Sequence, residues 1–265
     1  MTRTALITGG SRGIGLSFAN ALLVTGHNTM ITGARNRKAL MEAVDDLGRR
    51  FGPDRVAGAL ADAGNVEDAE RVVEQALDRF GNLDILVNNA GRGPLEINPS
   101  FHREARPFWE MDPKGWSEIV QTNVTGPFLM ARAAAPHMVC AGWGRIIGIS
   151  TSRTTMIKQG FAPYGPTKSA LDTMTRIFAD DLKDTGVTCN ILAPGGPTDT
   201  SFIPPGGREG VYAELLPVDV MNKALLWLCS IAADSVTAAR FIGKLWDDAD
   251  PNIAREDTGE PPRIL

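Results

Sequence analysis

Cysteine is scarce: Cys140, Cys189 and Cys229 are the only three in 265 residues, and no two of them lie within metal-ligand spacing of each other. A disulfide framework is thereby excluded, and a reducing compartment is expected. Neither sign of charge dominates, since 27 basic against 31 acidic residues leave a net charge of -4. That balance offers no basic surface to nucleic acid or to an anionic membrane. No run approaches the roughly eighteen uninterrupted apolar residues of a membrane span. The chain reads Met1-Thr2-Arg3-Thr4 and enters an apolar run at once, which leaves no room for a signal peptide, so a cytoplasmic location is expected. Histidine is rare too; His27, His102 and His137 are scattered and read as surface or packing residues, and no metal is expected.

What the chain has is 43% apolar and 22% charged residues, with 28 Gly and 17 Pro, the balance of an ordinary globular protein. Short apolar runs at residues 4–8, 29–32, 55–60, 83–87, 145–150, 187–192 and 240–245 alternate with stretches of helical period. In residues 66–80, for example, Val66, Ala69, Val72, Val73, Ala76, Leu77 and Phe80 recur at steps of three and four. The alternation predicts an α/β fold: a doubly wound, seven-stranded parallel sheet with helices on both faces and ligands at the carboxyl ends of the strands. Nothing divides residues 1–265, so one domain is expected. Residues 93–114 and 198–217 are predicted cleft loops, and 247–265 a C-terminal tail.

The first strand runs into Thr8-Gly9-Gly10-Ser11-Arg12-Gly13-Ile14-Gly15 and then an apolar helix. A glycine turn there lets backbone N–H groups and the positive end of a helix dipole meet a pyrophosphate. Asn88-Asn89-Ala90-Gly91 follows the fourth strand, and Tyr164-Gly165-Pro166-Thr167-Lys168 lies on a helix after the fifth. In order and spacing these resemble the TGxxxGxG, NNAG and YxxxK motifs of the short-chain dehydrogenase/reductase family, with Asn123 and Pro194-Gly195 also fitting. The resemblance spans nearly the whole chain. It implies a Rossmann-like fold and an oxidoreductase that uses a nicotinamide cofactor on a small carbonyl or alcohol substrate. For the cofactor it implies Gly9, Ser11, Arg12, Gly13, Ile14, Gly15, Asn89, Ala90, Gly91, Tyr164, Lys168, Pro194, Gly195 and Thr198, with Asp62 and Ala63 beside the adenine and Lys168 on the nicotinamide ribose.

An acidic residue at the end of the second strand would favour NAD. Ala34 stands there instead, followed by Arg35, with Arg12 in the glycine turn. Two guanidinium groups suit the oxygens of a 2′-phosphate, and both positions resemble the family's NADP-preferring pattern, so NADP(H) is expected.

Tyr164 and Lys168, four apart, share a helix face. A nearby ammonium and a cationic nicotinamide favour the phenolate, so the spacing suggests a tyrosine of lowered pKa that trades protons with a carbonyl or alcohol oxygen. The family places a hydroxyl residue about thirteen positions before the tyrosine. That count lands on Thr151, with Ser152 one step nearer; Ser152 matches the usual side chain and is preferred slightly, Thr151 close behind. Successive extended residues face opposite ways, so one of the two is expected to reach the substrate. Asn123 resembles the helix residue that relays Lys168 to solvent.

Two departures stand out. Pro197 occupies the place where the family offers a backbone N–H to the nicotinamide carboxamide, and proline has none; Thr198 and Thr200 are the candidates to hold the carboxamide instead, the alternative being that the prolines only stiffen the loop. Residues 93–114 form a longer link than expected and carry Phe101, His102, Arg103, Arg106, Phe108 and Trp109, suited to capping the cleft or to meeting another subunit. The reading favoured is an NADPH-dependent carbonyl reductase, reversible as an alcohol dehydrogenase. The competing readings are a non-catalytic NADP(H) sensor or scaffold, and an NAD-dependent sugar-alcohol or steroid dehydrogenase. By resemblance, helices near 116–138 and 162–184 would build a homodimer or homotetramer.

Overall fold

A computed structural model describes residues 2–204 and 214–256. Seven parallel strands, β1 (Thr4–Ile7), β2 (Asn28–Gly33), β3 (Val56–Leu60), β4 (Ile85–Asn88), β5 (Gly144–Ile149), β6 (Val187–Ala193) and β7 (Arg240–Ile242), make one sheet in the order β3-β2-β1-β4-β5-β6-β7. The order reverses between β1 and β4, and at such a switch point the flanking loops part to leave a crevice. Apart from the part-buried edge strand β3, the strands are buried almost throughout and so read as largely apolar runs. Their side chains nevertheless alternate: Ala5, Ile7, Ile147 and Ile149 join one core, Leu6, Leu86 and Ile146 the other.

Helices α1 (Gly13–Val24), α2 (Arg37–Phe51) and α3 (Val66–Phe80) follow the first three strands. Phe18 and Leu22 of α1 bury into the first core with Leu225 and Leu228 of the helix Asn222–Leu228, while Val72, Val73 and Ala76 of α3 bury into the second. Asn36 caps α2 by accepting from Ala39 N–H at 2.9 Å, and Asn65 caps α3 by accepting from Asp68 N–H at 2.8 Å. By contrast α1, with Arg12 at its N-cap, has no side-chain cap among the described residues and no acidic residue in its first turn, so its first N–H groups are left facing the crevice.

Strand positions agree with the sequence to within a residue or two, except at β7. The expected run to residue 245 stops at Ile242, and Gly243–Leu245 turns as a 3-10 helix, because Gly243 packs against Met221 where a Cβ would lie 2.6 Å from the Met221 side chain. The single helix expected over 116–138 is α4 (Pro113–Val120), a wider π-helical turn Gln121–Thr125, and α5 (Gly126–Ala141). Pro127 has no N–H to return to the carbonyl of Asn123 four residues earlier, and the widened turn falls at that gap. After β5 come the short helix α6 (Arg153–Met156) and then α7 (Tyr164–Asp181). Beyond β7 the chain doubles back, with Arg255 bridging Phe241 antiparallel and Glu256 N–H donating to the carbonyl of Arg240 at 2.7 Å.

Candidate active site

A cavity of about 940 Å³ opens at the carboxyl ends of the strands, a volume in the range of small-molecule and cofactor sites. It is lined by the glycine turn (Gly9, Ser11, Arg12, Gly13, Ile14, Gly15), the end of β2 (Ala34, Arg35), Asp62 and Ala63 after β3, Asn89, Ala90 and Gly91 after β4, Thr151 and Ser152 after β5, Tyr164 and Lys168 of α7, and Pro194, Gly195 and Thr198 after β6. Asn123 stands behind this wall at 1% exposure and does not line it.

The glycine turn is built from positions that other residues could not fill. Gly9 and Gly13 hold φ of 65° and 54°, in the left-handed region. A Cβ on Gly15 would lie 2.5 Å from both the Gly9 carbonyl oxygen and the Asn89 side-chain nitrogen. Asn89 fastens the turn to β4: its Nδ2 donates to the carbonyls of Thr8 and Gly9 at 2.8 and 3.1 Å. Thr8 Oγ1 in return accepts from the N–H groups of Asn89 and Ala90, both at 3.0 Å. The uncapped α1 terminus, the bare glycine backbone and the cavity volume together fit a dinucleotide pyrophosphate.

At the far end of β2, Arg35 reaches across the mouth of the cavity. Its Nη2 donates to Glu118 Oε2 at 3.2 Å and its Nη1 lies 4.0 Å from Glu96 Oε2. Arg92 pairs with the same Glu118 carboxylate and stands 3.5 Å from Glu96. Reading the sequence had found Arg35 but not this four-charge cluster, whose members come from β2, the loop after β4 and α4. Arg12 makes no ion pair among the described residues. The Asp62 carboxylate accepts from Gly64 N–H at 3.0 Å, shaping the loop that closes this end.

Three groups meet at the end of β5. The Thr151 side chain stands beside the Tyr164 phenol and favours its ionised form. Ser152 is turned away: its Oγ caps α6 by accepting from Thr155 N–H at 3.2 Å and lies 2.8 Å from Thr155 Oγ1. The two hydroxyls left open by the sequence both line the cavity; Thr151 is the one beside the tyrosine, and the Ser152 oxygen caps α6. Lys168 is 5% exposed; its Nζ donates to the Ile149 carbonyl at 2.7 Å and lies 5.9 Å from the centre of the Tyr164 ring.

Burial lowers the Lys168 pKa to about 8, against the opposing pull of Asp172 one turn along. The Tyr164 phenol is also governed first by burial, which pushes it up to about 12 while the Thr151 side chain pulls it back. Among the chain's own groups desolvation thus opposes the lowered phenol that the spacing suggests, while the Lys168 ammonium is hydrogen-bonded to the Ile149 carbonyl. Asn123 sits in the π turn with its side chain committed, Oδ1 accepting from Arg92 N–H at 2.8 Å and Nδ2 donating to the Arg92 carbonyl at 2.9 Å and to Thr167 Oγ1 at 3.1 Å. Its amide positions Arg92 and Thr167, and its Oδ1 and the Lys168 Nζ both flank Gly91.

After β6, Gly195 holds φ of 90° with Ile242 and Lys244 packed where a Cβ would be. Pro197 lines the cavity, and its carbonyl accepts from Leu216 N–H at 2.8 Å. Thr198 pairs with Leu216 as an isolated bridge and is 7% exposed. Phe202 then lies tilted beside Tyr164, ring centres 6.1 Å apart, and fills the space over Gly93. Phe101 lines the same chamber, edge-on to Phe161 at 5.5 Å, whereas Phe108 and Trp109 point outward at 71% and 73% exposure. The cleft loop 93–114 thus supplies Pro94, Glu96 and Phe101 to the cavity wall. Of the loop 198–217, Pro205, Gly206, Gly207 and Tyr212 lie outside the described residues, as does the tail beyond residue 256.

Among the described residues no helix is long and apolar enough to cross a membrane. The family model for short chain dehydrogenase matches residues 3–204. The chain is 33% identical to dehydrogenase/reductase SDR family member 4 of Caenorhabditis elegans over 84% of this chain and 81% of that protein. It is 34% identical to the gluconate 5-dehydrogenase of Gluconobacter oxydans (strain 621H), over 72% and 70% respectively. The crystal structure of a gluconate 5-dehydrogenase from Burkholderia cenocepacia J2315, in complex with NADP and tartrate, superposes with a TM-score of 0.79 at 28% identity, covering 91% of this chain and 92% of that one. On that family match and those likenesses, the chain belongs to the short-chain dehydrogenase/reductase family of oxidoreductases, which bind a nicotinamide cofactor and act on small molecules.

Proposed function

We propose that the protein is an NADPH-dependent reductase of ketone or aldehyde carbonyls, reversible as an alcohol dehydrogenase. The observation that carries this reading is the meeting of Thr151, Tyr164 and Lys168 in the same cavity as the glycine turn. Bound reduced nicotinamide supplies the hydride. The chain's own residues handle the oxygen. Burial keeps the Tyr164 phenol protonated at neutral pH, the state a proton donor needs, and it delivers that proton to the substrate oxygen as negative charge builds there. Thr151 donates a hydrogen bond to the same oxygen and holds it in line with the phenol. Lys168 stiffens the end of β5 through Ile149 and presents a positive charge that stabilises the phenolate left behind.

Gly9, Ser11, Gly13, Ile14 and Gly15 would hold the pyrophosphate, Asp62 and Ala63 the adenine, and Asn89, Ala90, Gly91, Pro194, Gly195 and Thr198 the nicotinamide half. Arg12 and Arg35, with no carboxylate at Ala34, support NADP(H) over NAD(H), as does the NADP bound to the gluconate 5-dehydrogenase relative. The exposed apolar side chains Trp116, Phe128, Val139 and Ile177, all on α4, α5 and α7, support a homodimer or homotetramer. The test is consumption of NADPH against a panel of ketones, quinones and aldehydes, read by loss of its absorbance. Turnover that disappears in Tyr164→Phe supports the reading. Tight NADPH binding with no turnover on any carbonyl would make the chain a sensor instead.

A further inference from the structure

Arg240 is a buried cation with three separate duties. Its side chain is 7% exposed at the start of β7. Its Nε donates to Asp172 Oδ2 at 2.9 Å, its Nη1 pairs with the Glu256 carboxylate, and its Nη2 donates to the carbonyl of Thr151. Those partners are not arbitrary. The β5–β6 ladder makes its last rung at Ser150, whose N–H donates to Leu192 at 2.9 Å, so Thr151 lies past the sheet with its carbonyl unclaimed by any strand. Asp172 is on α7, one turn beyond Lys168 and two beyond Tyr164, on the face that carries both. A single guanidinium therefore ties the strand end bearing Thr151 to the helix bearing Tyr164.

Glu256 locks that guanidinium in place. Its N–H donates to the Arg240 carbonyl at 2.7 Å, its carbonyl accepts from Arg153 Nη2 at 2.9 Å, and its carboxylate meets both arginines. Arg153 directly follows the α6 cap Ser152, so the returning C-terminal segment is stitched to the other side of the same turn. The planar fork presents Nε, Nη1 and Nη2 to three separate acceptors on three elements, whereas the three N–H groups of an ammonium radiate from a single nitrogen.

We infer that Arg240, locked by Glu256, is a positioning residue that sets the Thr151 hydroxyl against the Tyr164 phenol. The inference rests on the reading of Thr151 as the hydroxyl that meets the substrate oxygen, and the tests separate the two. In the ligand-free protein, Arg240→Gln raises amide exchange across residues 151–156 about tenfold while the glycine turn at residues 8–16 keeps its protection. On a carbonyl that the wild type reduces, the same variant loses about tenfold or more in kcat while its NADPH dissociation constant stays nearly unchanged. Arg240→Lys, which keeps the charge but not the fork, recovers only part of that loss. Combined with Thr151→Ala, Arg240→Gln adds little to the loss already caused by Thr151→Ala, because one acts through the other.

Fully additive losses, unchanged exchange at 151–156, or NADPH binding that falls in step with kcat would each overturn the inference. If Arg240→Gln does not fold, Glu256→Gln carries the exchange test: increased exchange at 151–156 supports the clamp and unchanged exchange refutes it. Full turnover by Thr151→Ala defeats the assignment of the hydroxyl, and the exchange measurement still decides whether Arg240 holds the turn.

Discussion

Gly15 and Asn89 are in such close approach that a single methyl group separates a working turn from a broken one. A Cβ on Gly15 would lie 2.5 Å from the Asn89 amide nitrogen, the same nitrogen that donates to the carbonyls of Thr8 and Gly9. Gly15→Ala must therefore push apart the first turn of α1 and the end of β4, at a cost of about 1–3 kcal/mol. The expected outcome is a lower melting temperature together with weaker NADPH binding, measured by thermal unfolding with and without the cofactor. A variant that melts and binds like the wild type would contradict the packing described.

The two hydroxyls after β5 make opposite demands on experiment. Thr151→Ala removes the hydrogen-bond donor beside the phenol, and kcat is expected to fall about 10²-fold, the scale of losing one donor to a developing oxyanion. Thr151→Ser restores most of it. Ser152→Ala instead removes the α6 cap, costing about 1 kcal/mol of stability with kcat little changed. Steady-state kinetics and urea unfolding of the three variants distinguish the two roles; the reverse pattern would return the role to Ser152.

These two residues also mark where the sequence ceased to be legible. The alternation of apolar runs gave the seven strands, and the glycine turn, the Asn89 motif and the Tyr164–Lys168 pair were readable because each is a local pattern with one stereochemical use. Whether Thr151 or Ser152 faced the tyrosine depended on which oxygen the helix α6 would take for its cap, and that short helix had no periodicity to announce it. Pro127 was a visible signal that the helical ladder must widen at Asn123, but it reads equally as an ordinary first-turn proline. Arg240 and the Arg92–Glu118 pair arise from side chains brought together across distant segments, and nothing local in the sequence pairs them.

Arg35 is held by Glu118 at 3.2 Å, so the same cation that would receive a 2′-phosphate is already in an ion pair. Arg35→Asp is expected to lower kcat/KM for NADPH by about tenfold or more relative to NADH, since a charged hydrogen bond becomes a repulsion. Glu118→Gln removes the nearer of the two carboxylates that hold Arg35 and Arg92, leaving Glu96, and is expected to tighten NADPH binding without improving NADH. Titration of both variants with each dinucleotide checks the pair of effects. Equal changes for the two dinucleotides would mean that neither arginine reads the phosphate.

Lys168 makes folding stability depend on pH in a direction opposite to that of its neighbours. Burial lowers its pKa from the usual 10.5 to about 8, so the unfolded chain holds the proton more tightly than the folded one between those values. Stability contributed by this group therefore rises as pH increases through about 8 and levels off near 10.5, by up to roughly 3 kcal/mol. The Cys189 and Cys229 thiols, pushed up to about 12, and the Tyr164 phenol, also at about 12, act in the other sense, because the folded chain keeps those protons longer; their contributions decline as pH rises past the ordinary thiol and phenol values. Comparing the wild type with Lys168→Met cancels the thiols and the phenol to first order. The variant, freed of a desolvated ammonium, is expected to hold its largest stability advantage near neutral pH. By about pH 9.5 that advantage shrinks by roughly 2 kcal/mol. Urea unfolding midpoints across that interval give the answer: an advantage that stays constant with pH would mean that the Lys168 ammonium remains solvated, and that its grip on the end of β5 is not the one described.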